Sequence, residues 1–186
     1  MILLATSLLA ASLVQQDAPP RLDTSYEPNA AYPFGRPNPE APAELAEFAF
    51  FIGDFNCVDE RTLPDGSSVR FAAIWNGHYF LNGHAIQDQY WAPGHYTSNI
   101  RQYDEAAGEW KVHFISEPGF STGVWAGGME GEDIVLTREI QTPNGPITSR
   151  LTFYEITDGG FRWRGQTVAG DGTVTTGWTS DCARVR

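Results

Sequence analysis

The sequence predicts an all-β domain: a closed antiparallel up-and-down barrel of about ten strands, preceded by a short helix and an extended N-terminal arm. Three observations carry this. From residue 49 onward, short runs of β-branched and aromatic residues recur at roughly the spacing of a meander. The separators LPDG, NG, APG, DEAAG, EPG, GGMEGE, TPNGP, DGG and GDG are turn sequences, several holding the Asn-Gly or Asp-Gly pairs that accept positive φ in hairpins. No helical periodicity interrupts the series. An open sheet of this length would leave two bare edges, which closure removes.

The elements follow in chain order. Residues 1–14, MILLATSLLAASLV, form an apolar run with small residues at its end, the pattern of a secretory signal. No Lys or Arg precedes it, and cleavage is expected after Ala11 or Ser12. The alternative is an N-terminal strand or helix, against which the abrupt change to QQDAPP argues. Residues 15–42, rich in Pro, Asn and Ala, read as a linker or strapping arm whose AAYPFG segment could dock on the domain. Residues 43–186 are the barrel domain. APAELAEFAFF, residues 41–51, suits a short helix. Strands are expected at 49–57, 68–76, 79–91, 96–103, 109–117, 120–127, 133–141, 146–157, 160–168 and 173–184.

Composition bounds the function. Hydrophobic residues are 41% and aromatics 13% of 186, enough for one domain with a full core. Twelve Lys and Arg against 23 Asp and Glu give a net charge of −11. Without a basic run to neutralise phosphates, a nucleic-acid partner is disfavoured, as is an anionic membrane surface. The N-terminal apolar run is too short for stable membrane insertion. The sequence leaves the oligomeric state open.

In a closed meander the first strand pairs with the last. Cys57 lies in the first and Cys182 in the last. In an exported chain these thiols would be oxidised together and staple the seam, a cross-link worth roughly 4 to 5 kcal/mol for so long a loop. The alternative is two unpaired buried cysteines. No CxxC or Cys/His spacing indicates a metal site.

FIGDFNC, WNGHYFLNGHAIQDQYW, YDEAAGEWKVHFIS and GFRWRGQ resemble the DUF1579-type, lipocalin-like (calycin-like) family of uncharacterised bacterial secreted proteins. Its pattern runs LxGxW, LdGRaiqDvW, YDpatgkW and FrWrge; here Phe55 stands for the first tryptophan and His84 for the arginine of the second motif. The resemblance covers residues 46–184 and implies a calycin-type barrel, with no settled activity. Lipocalins also close one end with a Gly-x-Trp and a late basic residue over the ring. Gly53-Asp54-Phe55 and Arg184 suit that role.

Period two sorts the candidate site residues by face. His84, Ile86, Asp88 and Tyr90 share one face; Thr97, Asn99, Arg101 and Tyr103 share another; Trp110, Val112 and Phe114 oppose Lys111 and His113; Phe161 and Trp163 oppose Arg162, Arg164 and Gln166. Asp88 and Arg101, on consecutive strands, would demand each other if buried. Placed outside, they would be a weak surface pair. His84 and His113 could serve as a base or, more blandly, as hydrogen-bonded wall residues. His78 and His95 read as solvated turn residues. The six tryptophans divide between wall and pocket.

The leading expectation is a secreted or periplasmic barrel binding a small apolar or aromatic molecule with a polar or anionic group. Its ligand contacts would be His84, Asp88, Tyr90, Arg101, Trp110, His113 and Arg164. One alternative is a barrel enzyme of isomerase, lyase or dehydratase type, with His84 or His113 and Asp88 as acid–base pair. Another is a filled barrel acting as an envelope interaction module. No cofactor is expected: a haem barrel of the nitrobindin type needs a late histidine, and none follows His113.

Overall fold

Turn residues and alternating faces produce ten strands: β1 (Gly53–Thr62), β2 (Ser68–Phe80), β3 (Ala85–Ala92), β4 (His95–Asp104), β5 (Glu109–Glu117), β6 (Thr122–Glu130), β7 (Asp133–Thr142), β8 (Gly145–Thr157), β9 (Gly160–Val168) and β10 (Val174–Arg184). A computed structural model describes residues 23–143 and 145–185. The expected export signal, residues 1–14, and the arm up to residue 22 lie outside the described residues. Every strand pairs antiparallel with its chain neighbour, and β1 pairs with β10, closing the barrel. Cys57 stands directly opposite Cys182, and the two form a buried disulfide with an S–S distance of 2.05 Å across 125 residues of sequence.

The helix is 3₁₀, Ala43–Phe51. With three residues per turn, Leu45, Phe48 and Phe51 fall on one face, and that face is buried. It plugs one end of the barrel. Phe48 meets Trp110 edge-to-face at 4.8 Å, and Phe51 meets Trp75 at 5.0 Å. The Trp110 indole N–H donates to Glu47 Oε2 at 2.8 Å. Arg184 closes the same end. Its guanidinium lies 4.7 Å from the Phe55 ring centroid and donates to the carbonyls of Ile52, Phe50 and Asp158.

The strand boundaries differ most from expectation at β1 and at the turn between β2 and β3. The apolar residues 49–52 belong to the helix and its exit, so β1 instead runs through the charged segment DERT. The sequence WNGHYFLNGHA contains two Asn-Gly pairs, and the turn forms at the second, where Leu81, Asn82 and Gly83 have φ of 52°, 52° and 80°. Asn76-Gly77 stays inside β2. A side chain at Gly77 would strike the Phe51 carbonyl, with its Cβ 2.3 Å away, so the helix can seat only against a glycine.

The described part of the arm docks on that second turn. Tyr79 N–H donates to Phe34 O at 2.8 Å, and Asn38 N–H donates to Gly83 O at 3.0 Å. Arg36 lies over Tyr26 and Tyr32 at 4.7 and 4.8 Å. His78 is therefore a half-buried strand residue, where a solvated turn position was expected. Burial pushes its pKa down, opposed by Glu27 and Gln87.

Candidate functional site

The helix fills only one half of the barrel. The other half encloses a cavity of about 210 Å³. Strand alternation turns Trp75, Tyr90, Phe114, Trp125, Trp163 and Trp178 toward it, so four of the six tryptophans face this space. Trp110 lies in the plugged end and does not line it.

Two ionic groups are buried in this interior. The deeper is Asp88 with Arg101, which are 0% and 2% exposed and form an ion pair. Asn99 Nδ2 donates to Asp88 Oδ1 at 2.8 Å. The Arg101 guanidinium also covers the plug, 4.5 Å from the Phe51 ring centroid and 5.2 Å from that of Phe48. Burial draws its pKa down to about 9, which leaves it charged at neutral pH. The pair is electrically closed: the charge of Arg101 is already matched by Asp88.

The second group is Asp59, on β1 two residues beyond Cys57 and fully buried. Its Oδ2 accepts the Tyr90 hydroxyl at 2.5 Å and the Trp178 indole N–H at 2.7 Å. Its Oδ1 is buried and has no hydrogen-bond partner among the described residues, and Asp59 borders the cavity. Burial pushes the Asp59 carboxyl above the usual carboxylate range, against the donors of Tyr90 and Trp178 and the nearby Ser180 hydroxyl. Trp75 Nε1 and Arg101 Nε, in residues that border the cavity, are likewise buried without a hydrogen-bond partner among the described residues. Buried polar atoms of native proteins are normally satisfied, so these three await one. Burial and the coupling to Asp59 push the Tyr90 hydroxyl pKa strongly up, keeping it a donor.

Of the residues named from sequence, Asp88, Tyr90 and Arg101 come together in the interior. His84 lies in the exposed turn before β3, and His113 points outward between Val112 and Phe114. The acid–base pair of either histidine with Asp88 is therefore not assembled. Arg164 lies on the face opposite Trp163, over the Tyr154 ring at 4.7 Å and 4.0 Å from Asp133. Trp110 serves the plug. Sequence reasoning missed Asp59 and His95. The signal for Asp59 was present, since period two puts Phe55, Cys57 and Asp59 on one face. His95, expected in a turn, begins β4 and lines the cavity, its ring 5.5 Å from that of Trp178. Burial, aided by the Arg61 charge, pushes its pKa down. The described residues leave the interior unfilled, which does not favour the filled-barrel interaction-module alternative.

Among the described residues no three His, Cys, Asp or Glu side chains gather as a metal site, and no helix is long and apolar enough to cross a membrane. No family model matches the chain, and no curated protein matches it in sequence. Among solved structures it is similar to Rv2717c from M. tuberculosis, at 11% identity and a TM-score of 0.52, covering 79% of this chain and 100% of that one. It is also similar to the S-type phycobiliprotein lyase CPES from Guillardia theta, at 13% identity and a TM-score of 0.48, covering 78% of this chain and 98% of that one. The likeness to Rv2717c bears on the fold alone, and the chain is a closed ten-strand antiparallel barrel of that general kind.

Proposed function

We propose that this chain is a secreted or periplasmic barrel that binds one small apolar or aromatic molecule carrying a polar group, and that it belongs with the DUF1579-type, lipocalin-like proteins its motifs resemble. The observation that supports binding most directly is the pairing of an aromatic cavity wall with three buried polar atoms that lack partners among the described residues. A cavity of about 150 Å³ is enough to hold benzene. At about 210 Å³, this one has room for one ring with a short side chain. The apolar start of the sequence and the Cys57–Cys182 disulfide support an oxidising compartment. Arg101 is committed to Asp88, so an anionic ligand group would find no free charge there.

The test is saturation-transfer NMR with single-ring aromatics on the full chain and on Leu151→Trp, which grows into the cavity. Transfer to 2-phenylethanol should be seen in the parent protein and lost in the variant. Transfer unchanged by Leu151→Trp would place binding elsewhere. No transfer from any single-ring compound would remove the reading.

A further inference from the structure

Four rings of the cavity wall form a closed circuit. Trp75 meets Tyr90 at 5.3 Å and 76°, Tyr90 meets Trp178 at 6.0 Å and 73°, Trp178 meets Trp163 at 6.2 Å and 83°, and Trp163 meets Trp75 at 6.0 Å and 80°. Each ring stands nearly perpendicular to the next, so the four are the walls of a box. All four border the cavity. Asp59 is fixed to two adjacent walls, through the Tyr90 hydroxyl and the Trp178 indole. Those bonds occupy Oδ2 and hold the carboxylate still, leaving Oδ1 for whatever enters.

The charge balance of the interior selects the entrant. Asp88 and Arg101 cancel, and Asp59 has no cation within ion-pair distance among the described residues. Arg61, two residues along β1, is exposed and rests on the Trp178 ring at 5.2 Å. Its charge reaches Tyr90 and His95, but it forms no ion pair with Asp59. Arg138 lies over Trp125, 5.1 Å from its centroid, outside the four-ring circuit. A buried carboxylate without a counter-charge is costly and is relieved by a cation. Aromatic faces attract cations as well, most strongly where water is excluded. The net charge of −11 favours their approach.

We infer that the box of Trp75, Tyr90, Trp163 and Trp178 with Asp59 is an ammonium site, and that the ligand is a monoamine with a small aromatic or apolar body. The inference rests on the small-molecule reading above and narrows it. The ammonium N–H donates to Asp59 Oδ1 while its alkyl carbons face the rings. The apolar body extends into the space beside Phe114, Leu136 and Leu151.

The experiment is isothermal titration of the full, disulfide-bonded chain with three probes of similar shape: phenethylamine, 2-phenylethanol and 3-phenylpropionate. Phenethylamine should bind at least about tenfold tighter than the alcohol, and the carboxylate weakest, as expected for a charge-assisted hydrogen bond in a desolvated site. Asp59→Asn, which keeps an acceptor for Tyr90 and Trp178, should remove the preference for the amine and leave the alcohol bound. Equal affinities for amine and alcohol in the parent protein, or tightest binding of the carboxylate, would overturn the inference while leaving the cavity a binding site. No heat and no competition from any of the three would overturn both. The parent-protein comparison decides the matter even where the variant fails to fold.

Discussion

The two halves of this barrel are built from the same strands and end up with opposite interiors. In the plugged half, Leu45, Phe48 and Phe51 from the 3₁₀ helix fill the space, and the buried acid, Asp88, is neutralised by Arg101. In the hollow half none of the described residues occupies the centre, and the buried acid, Asp59, has hydrogen bonds but no counter-charge among them. The first arrangement is complete in itself. The second has a carboxylate that is stabilised least when ionised. Natural proteins keep such costly groups mainly where they are used, so the contrast separates the part that holds the fold from the part available for binding.

The largest expected effect tests the plug. Phe48→Ala should cost about 3 to 5 kcal/mol in denaturant unfolding, because it empties a site already packed by four partners. Phe114→Ala, on the half-buried cavity wall, should cost less than half as much. Equal losses would erase the distinction between the halves.

The two acids give the next contrast. Asp88→Ala leaves Arg101 buried without its partner and should cost about 3 kcal/mol or more. Asp59→Asn at pH 7 should leave stability unchanged or raise it, since it removes a desolvated charge and keeps the acceptor for Tyr90 and Trp178. Destabilisation of both variants alike in urea titrations would mean that Asp59 is a structural acid like Asp88.

pH sharpens the same comparison. In the folded chain Asp59 holds its proton above the ordinary value of 3.8, chiefly through burial. The folded state therefore binds more protons than the unfolded state between that value and the raised one. The stability that the group contributes is full below 3.8 and is lost as pH rises through the folded value. The difference in unfolding free energy between parent and Asp59→Asn should thus move against the parent across that window and then level off. A difference that moves in the parent's favour would reverse the assignment.

The smallest effect is at Trp178. Trp178→Phe retains a ring and loses the N–H to Asp59, and should cost about 1 kcal/mol. It should also raise the Asp59 pKa further, which the carboxyl carbon chemical shift would report.

Much of the barrel was legible because its signals are local. Turn dipeptides fixed the number of strands, and the adjacency of first and last strands brought Cys57 to Cys182. Asp88 and Arg101 were legible as a pair because consecutive strands carry them. The remainder depended on contacts between distant segments. Either Asn-Gly pair could make the turn before β3; the Phe51 carbonyl lying against Gly77 decides which. His84 moved out of the strand with that decision. The hollow half was invisible because a cavity is set by what the helix does not fill. Asp59 sits in the run DER, where three neighbouring charges read as a solvated surface. Only the parity carried over from Phe55 and Cys57 shows that the first of them turns inward.

The pairing of β1 with β10 also sets an order in time. A chain made from its N-terminus presents β1 first, yet the partner that completes β1 is the last strand to emerge. Until then the hydrogen-bonding edge of β1 and the thiol of Cys57 have no final partner, and contacts of such long sequence separation form slowly. A chain stopped short of Val174 would carry the plug, most of the rings and Asp59, but neither the closing strand nor Trp178. The wall of the cavity and the seam of the barrel are finished in the same step, so a truncated product has no half-working site.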